Sequence, residues 1–131
     1  YGAIMGVMQH SGLAEIISQF FVQISTAETF PLLTFYSAGL LNLFIPSGGG
    51  QWAVQAPIVI AAAKDLQVDL AITSMAVAWG DAWTNMLQPF WALPILSIAG
   101  IKLREIMGYC VLTLVVSGSI LSVVFLVAPL L

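Results

Sequence analysis

The chain contains 131 residues, of which 60% are hydrophobic and only 7% are Asp, Glu, Lys or Arg. A water-soluble domain carries about 25% charged residues, because polar side chains must cover its surface. The low charge content therefore favours lipid as the solvent of much of this chain. The chain has three Lys and Arg residues and six Asp and Glu residues. It therefore has no cationic stripe, which argues against nucleic acid as a partner.

The first 28 residues predict two elements. Residues 1–12 predict the end of a transmembrane helix, and the chain starts inside this apolar run without Met, so we expect a fragment that lacks an N-terminal membrane portion. Residues 13–28 predict an interfacial helix, because Glu15, Gln19 and Gln23 recur at helical spacing opposite an apolar face. A longer spanning helix that turns this polar stripe toward its neighbours is the alternative.

A breaker cluster divides the next apolar stretch into two limbs. The sequence IPSGGGQ begins at Ile45 and separates apolar runs of about 14 residues, each about 21 Å long if helical. The hydrocarbon core of a bilayer is about 30 Å thick, so neither limb crosses it comfortably. We therefore expect residues 29–66 to form a re-entrant hairpin with its tip at residues 46–51. An ordinary aqueous loop between two short spans is the alternative.

A second interruption follows in residues 69–101, which predict a broken transmembrane helix. An apolar run at 70–79 gives way to polar residues and a proline at 80–89, after which the apolar pattern resumes. Residues 104–131 predict a terminal transmembrane helix. The basic cluster at positions 102 and 104 predicts a cytoplasmic turn before it, which places both ends of the hairpin and the C-terminal end of the chain outside.

Both breaks are candidates for a binding site. Non-helical backbone at membrane depth is tolerated only inside protein or beside a water-filled cavity. At the first break, three glycines at 48–50 would let a ligand approach the backbone. The return limb would then point its free N–H groups and positive dipole end at an anion such as a carboxylate. Ser47 and Gln51 could donate further hydrogen bonds.

Asp81 is the one acidic residue that we predict within the membrane interior, where an ionisable group is a functional candidate by default. It could bind a cation with the help of Thr84, Asn85 and free carbonyls, or it could carry a proton, and the residues leave both open. A structural aspartate, capped by backbone donors or paired with a base outside this chain, is the alternative. We expect no organic cofactor and no metal beyond a sodium ion, because the acid and histidine spacings form no metal motif.

Two segments carry a family resemblance. Residues 42–57, NLFIPSGGGQWAVQAP, and residues 78–91, AWGDAWTNMLQPFW, resemble signatures of the bacterial short-chain fatty acid transporter family of the acetoacetate/butyrate uptake type. That family is similar to the ion transporter superfamily, whose divalent-anion/sodium symporters have two inverted repeats and work as dimers by an elevator-like movement. The resemblance implies an all-α membrane protein, of which this chain is one inverted-repeat half with a re-entrant helical hairpin and a broken transmembrane helix.

The resemblance implies a secondary active transporter of small monocarboxylates, multi-pass in the bacterial inner membrane and coupled to sodium or protons. Its implied partners are a short-chain carboxylate substrate, the lipid bilayer, the N-terminal repeat of the same protein and a second copy in a homodimer. Asp81 and Asn85 are the expected coupling-ion residues. In the symporters, Ser-Asn-Thr motifs at the tips contact carboxylate and sodium, and here Ser-Gly-Gly stands at the tip. The expected substrate-binding residues are Ser47, Gly48, Gly49, Gly50, Gln51, Thr84, Asn85 and Gln88.

Two other classes of function fit the composition. An intramembrane aspartyl protease needs two carboxylates in one site. Asp81 is the one that we predict within the membrane, and a second would have to come from outside this chain, so we expect no enzyme. A membrane assembly or sensor subunit that transports nothing would share the apolar composition. Uptake of a carboxylate into sealed vesicles distinguishes a transporter from both.

Overall fold

The computed structural model describes residues 2–130, without the side chains of Gly2, Met5, Gln9 and Pro89. Within these residues every regular element is helical, which confirms the predicted all-helical class. Short 3-10 turns lie at Asn85–Leu87, Pro89–Trp91 and Ala128–Leu130. The α-helices, in chain order, are α1 Gly2–His10, α2 Leu13–Gln23, α3 Phe30–Asn42, α4 Gly48–Asp65, α5 Leu70–Thr84, α6 Leu93–Ala99 and α7 Leu103–Val127.

Helix α3 is the centre of the structure. Nine of its 13 residues are buried, and it packs against α2, α4, α5 and α7. Its closest neighbour is α5, because Gly80 has no side chain at the crossing point. A Cβ on Gly80 would overlap the main-chain oxygen of Phe35 and lie 2.7 Å from the Cβ of Ala38. The small residues therefore allow the backbones of α3 and α5 to touch.

The break between α3 and α4 covers residues 43–47, and Ser47 starts the second helix. The Ser47 hydroxyl accepts a hydrogen bond from the N–H of Gly50 at 3.3 Å, and its main-chain oxygen accepts from the N–H of Gln51 at 2.7 Å. This N-cap places the glycines in the first turn of α4. The sequence pattern predicts the glycines before the helix, whereas in the structure the non-helical segment lies closer to α3.

Helix α5 starts at the predicted residue, Leu70, because Asp69 caps it. Asp69 Oδ1 accepts hydrogen bonds from the main-chain N–H groups of Ala71 and Ile72 at 2.8 and 2.9 Å. The helix then continues to Thr84, so the interruption begins at Asn85 and not at Gly80 as the polar pattern had indicated. Asp81 is consequently a helical residue, one turn before the break.

Helix α7 is long and apolar enough to cross a membrane, together with its last 3-10 turn over Leu103–Leu130, and it is the one such helix among residues 2–130. It contacts α5 through Gly118, where a Cβ would lie 2.7 Å from the ring of Trp83. The Trp83 indole Nε1 also donates to the main-chain oxygen of Leu114 at 2.8 Å. Most other large apolar side chains of α7 are exposed, as expected for a helix that faces lipid.

Candidate functional site

Three helix ends meet at one place, which we call the helix-end junction: the C-terminal end of α3 at Asn42, the N-terminal end of α4 at Gly48, and the C-terminal end of α5 from Asp81 to Asn85. Gly48 lies against the Asp81 carboxylate, because a Cβ on Gly48 would be 3.4 Å from Asp81 Oδ2. The carboxylate thus stands beside the first turn of α4, where the helix dipole favours negative charge.

Asn42 connects the two chain breaks, and the sequence analysis did not single it out as a site residue. It is fully buried, and its Nδ2 lies 2.7 Å from the main-chain oxygen of Asp81, 3.0 Å from Thr84 Oγ1 and 2.9 Å from Asn85 Oδ1. Its own main-chain oxygen accepts a hydrogen bond from Gln88 Nε2 at 2.7 Å. One side chain therefore holds the end of α5 and the following turn against α3.

Thr84 and Gln88, two of the expected substrate residues, are buried and bonded to α3. Thr84 Oγ1 donates to the main-chain oxygen of Gly39 at 2.9 Å, and Gln88 Nε2 bonds to Asn42 as described above. These hydrogen bonds bring α3 and the second break together. The two side chains therefore hold the second break against α3. Substrate binding by them, which we predict from sequence, would come in addition to this structural role.

Gln51 faces α3. The side chain is 1% exposed, and its Nε2 donates to the main-chain oxygen of Ala38 at 2.9 Å and to Gln55 Oε1 at 3.1 Å. Gln55 Nε2 in turn donates to Ser37 Oγ at 2.8 Å. These amides form a buried row between α3 and α4, so the donor of Gln51 is engaged there and not at the tip, where we had expected it.

Two clefts open at the helix-end junction, and each is lined by some of the expected site residues. The smaller cleft, of about 230 Å³, is lined by Gly48, Gln51, Trp52, Val77, Ala78 and Asp81. The larger cleft, of about 610 Å³, is lined by Pro46, Ala82, Asn85, Met86, Gln88, Phe90 and Trp91. Trp91 is fixed as a wall of the larger cleft by a hydrogen bond of 3.0 Å from its Nε1 to the main-chain oxygen of Asn85.

The first turn of α4 presents main-chain donors. The first four N–H groups of an α-helix have no partner within the helix. Ser47 satisfies those of Gly50 and Gln51, and among the described residues no acceptor bonds to those of Gly48 and Gly49. Gly49 is also open to its surroundings, since a Cβ there would meet nothing within 4 Å. This end of α4 can therefore accept an anion, with a carboxylate already close by at Asp81.

The described residues include no group of three or more His, Cys, Asp or Glu that could hold a metal ion. The side-chain oxygen atoms that the helix-end junction offers belong to one carboxylate, one hydroxyl and amides. Such a donor set suits a hard cation of low charge better than a transition metal.

An all-helical fold among the described residues and one helix long and apolar enough to cross a membrane are features of a membrane protein. A family model described as short chain fatty acid transporter matches residues 1–128, and the chain belongs to that family.

Two curated relatives are each provisionally named a short-chain fatty acid transporter. The chain is 51% identical over 120 residues to the Escherichia coli (strain K12) protein and 48% identical over 120 residues to the Haemophilus influenzae (strain ATCC 51907 / DSM 11121 / KW20 / Rd) protein. Each alignment covers 92% of this chain and 27% of the relative, so the chain spans about a quarter of the relatives' length. No solved structure matches the chain.

Proposed function

We propose that this chain is part of a secondary transporter of short-chain monocarboxylates, multi-pass in the bacterial inner membrane, and that the helix-end junction is part of its binding site. The family membership and the names of the relatives support the transported class. The observation that carries the assignment of the site is the Asp81 carboxylate against Gly48, at the N-terminal end of a helix and beside two clefts.

The helix-end junction offers contacts for both halves of a short-chain acid. The carboxylate group would bind the free N–H groups of Gly48 and Gly49, of which Gly48 lines the smaller cleft. Asn85 accepts from Asn42 through its Oδ1, which leaves its Nδ2 as a donor. The hydrocarbon tail would lie against the apolar side chains of the larger cleft, among them Met86 and Trp91.

The position of Asp81 explains why transport of the substrate would be coupled to a cation or a proton. A substrate carboxylate at the N-terminal end of α4 would be repelled by the ionised Asp81 side chain, which lies against the same turn. A cation or a proton on Asp81 removes this repulsion, so that the substrate binds well only after the coupling ion. Transport then follows when the loaded site moves relative to the remainder of the protein, for which we propose an N-terminal repeat and a homodimeric scaffold.

The test uses the full-length protein in sealed proteoliposomes. Uptake of labelled butyrate or acetoacetate is measured with an imposed sodium or proton gradient for the wild type, Asp81→Asn and the control Asp69→Asn. Asn caps a helix about as well as Asp, so the control keeps the cap of α5 and makes the same chemical change on the same helix. We expect gradient-driven uptake in the wild type and in Asp69→Asn, and its loss in Asp81→Asn.

Two outcomes would contradict the proposal. Wild-type uptake in Asp81→Asn would reduce this aspartate to a structural residue. No uptake of either acid by folded wild-type protein would contradict the transported class and would favour an assembly or sensor subunit.

A further inference from the structure

An apolar groove of about 280 Å³ lies between α5 and α7. Met75 and Trp79 line it on α5, and Leu121, Val124 and Phe125 line it on α7. No charged residue lines the groove among those that the structure describes. Met75, Trp79 and Val124 are each about half exposed, so these three large apolar side chains offer an open surface to an apolar ligand.

A second cleft, of about 320 Å³, continues the groove. Ile72 on α5 and Ala128 after α7 line both. Beyond them the second cleft is lined by polar side chains, those of Glu28 before α3 and of Gln67 and Asp69 before α5. We call it the acidic cleft, because within residues 2–130 no Lys or Arg lines it. An apolar site and a polar site are therefore joined end to end.

The length of α7 places the two parts at different depths of a membrane. Lys102 precedes α7 and Ala128 follows it, about 39 Å apart at 1.5 Å per residue. A bilayer with its head groups is about 40–45 Å thick. If Lys102 lies at one surface, Ala128 and the acidic cleft lie among the head groups of the other. The groove beside Leu121 and Phe125 then lies in the hydrocarbon.

Glu28 is the free acid of the acidic cleft. It is exposed, and among the described residues its carboxylate has no hydrogen-bond or ion-pair partner. Asp69 adds negative charge to the same cleft, but its Oδ1 is engaged by the main-chain N–H groups of Ala71 and Ile72. A ligand at this place is therefore expected to bring positive charge and hydrogen-bond donors.

We propose that the apolar groove and the acidic cleft together bind one molecule of phosphatidylethanolamine from the bilayer. Its primary amine donates to Glu28, and an acyl chain lies in the groove between α5 and α7. The lipid matches both the apolar part and the polar part at their respective depths, and its amine complements the charge of the cleft. This proposal depends on α7 crossing the membrane and does not depend on the transported substrate.

The same charges predict which lipids are rejected. Phosphatidylglycerol has the same acyl chains and phosphate but no positive charge, so its net negative charge is repelled by Glu28 and Asp69. Phosphatidylcholine keeps the positive charge, but its quaternary amine has no N–H group to donate. The site is therefore expected to prefer phosphatidylethanolamine to phosphatidylcholine, and phosphatidylcholine to phosphatidylglycerol.

The experiment measures the melting temperature of the full-length protein in detergent, while one of these three lipids is added at increasing concentration. The three carry identical acyl chains. A ligand that binds only the folded state stabilises it in a concentration-dependent way. We expect phosphatidylethanolamine to raise the melting temperature along a saturation curve, at a lower half-saturating concentration than either of the others.

Glu28→Gln and Glu15→Gln are the matched variants for the head group. Both glutamates are exposed, but Glu15 lies on α2 and lines neither the groove nor the acidic cleft. We expect Glu28→Gln to raise the half-saturating concentration of phosphatidylethanolamine about fivefold, the upper end of what an exposed ion pair contributes. Glu15→Gln is expected to keep the wild-type concentration.

Ala71→Phe and Ala61→Phe are the matched variants for the acyl chain. Both alanines are exposed on helices, and Ala71 lines the groove whereas Ala61 does not. We expect Ala71→Phe to fill the groove and to weaken binding of phosphatidylethanolamine about tenfold, equivalent to about 1.4 kcal/mol. Without added lipid, the two variants are expected to melt at similar temperatures.

The proposal is overturned if the three lipids stabilise the wild type equally, or if Glu28→Gln binds phosphatidylethanolamine as well as Glu15→Gln does. A much lower melting temperature of Ala71→Phe than of Ala61→Phe in lipid-free detergent would also overturn it, because another part of the protein would then occupy the groove. None of these results requires an uptake assay, so the lipid site and the transported substrate are tested separately.

Discussion

Helix α7 and the helix-end junction differ in how far their polar groups depend on other helices. The hydroxyls of Ser117 and Ser119 on α7 donate to main-chain oxygens of the same helix, four residues back, and Gly118 and Phe125 are the residues of α7 that are buried. At the junction, Asn42 and Gln51 bond to atoms of other helices or of distant turns. The exposed face of α7 can thus be specified by local sequence, whereas the junction exists only when α3, α4 and α5 assemble.

The largest expected effect comes from a methyl group at the contact of α3 with α5. Gly80→Ala would place a Cβ against the main chain of Phe35, and overpacking of this kind costs about 3 kcal/mol when backbone must move. Gly108→Ala on α7 is the matched control, because a Cβ there meets nothing within 4 Å. We expect a lower melting temperature and a lower yield of folded full-length protein for Gly80→Ala only. Equal stability of the two variants would contradict the packing of α3 on α5.

A smaller effect is expected from the central amide of the junction. Asn42→Leu removes the donor shared by the end of α5 and the turn after it, which we expect to cost about 2 kcal/mol. Ser119→Ala on α7 removes a hydrogen bond within one exposed helix turn and should change stability by less than about 0.5 kcal/mol. The measurement is the melting temperature of each full-length variant in detergent. A loss as small for Asn42→Leu as for Ser119→Ala would show that Asn42 does not hold the junction together.

The smallest expected change in stability accompanies a specific loss of substrate binding. Gly49→Val adds a side chain in open space at the N-terminal end of α4, so we expect the melting temperature to change little. The added methyl groups would obstruct a carboxylate at the N–H groups of this turn and raise the KM for butyrate uptake about tenfold, equivalent to about 1.4 kcal/mol. Uptake assays in proteoliposomes measure this. An unchanged KM would exclude this end of α4 as the carboxylate site.

The parts of the structure that depend on residues close together in the sequence could be predicted from it. The start of α5 at Leu70 follows from the capping residue Asp69, and the apolar run of α7 predicts a long helix. The break after α3 follows from Pro46, which lacks a main-chain N–H donor. The membrane depth of the hairpin and its orientation, which were inferred from segment lengths and two basic residues, stay predictions.

The parts that sequence reasoning missed depend on contacts between distant residues. The partners of the Asn42 side chain lie 39 to 43 residues further along the chain, so nothing near Asn42 indicates its central position. Gly80 resembles a helix breaker in sequence, but it is a contact point inside a helix. Gln51 faces α3 because the Ser47 cap fixes where α4 starts, and the glycines before it had suggested a later start.

The most direct test of the site is a structure of the full-length protein by electron cryo-microscopy, with butyrate and sodium present. The account predicts density for a carboxylate at the N–H groups of Gly48 and Gly49, with the hydrocarbon tail against the apolar side chains of the larger cleft. Butyrate bound away from both chain breaks would contradict it.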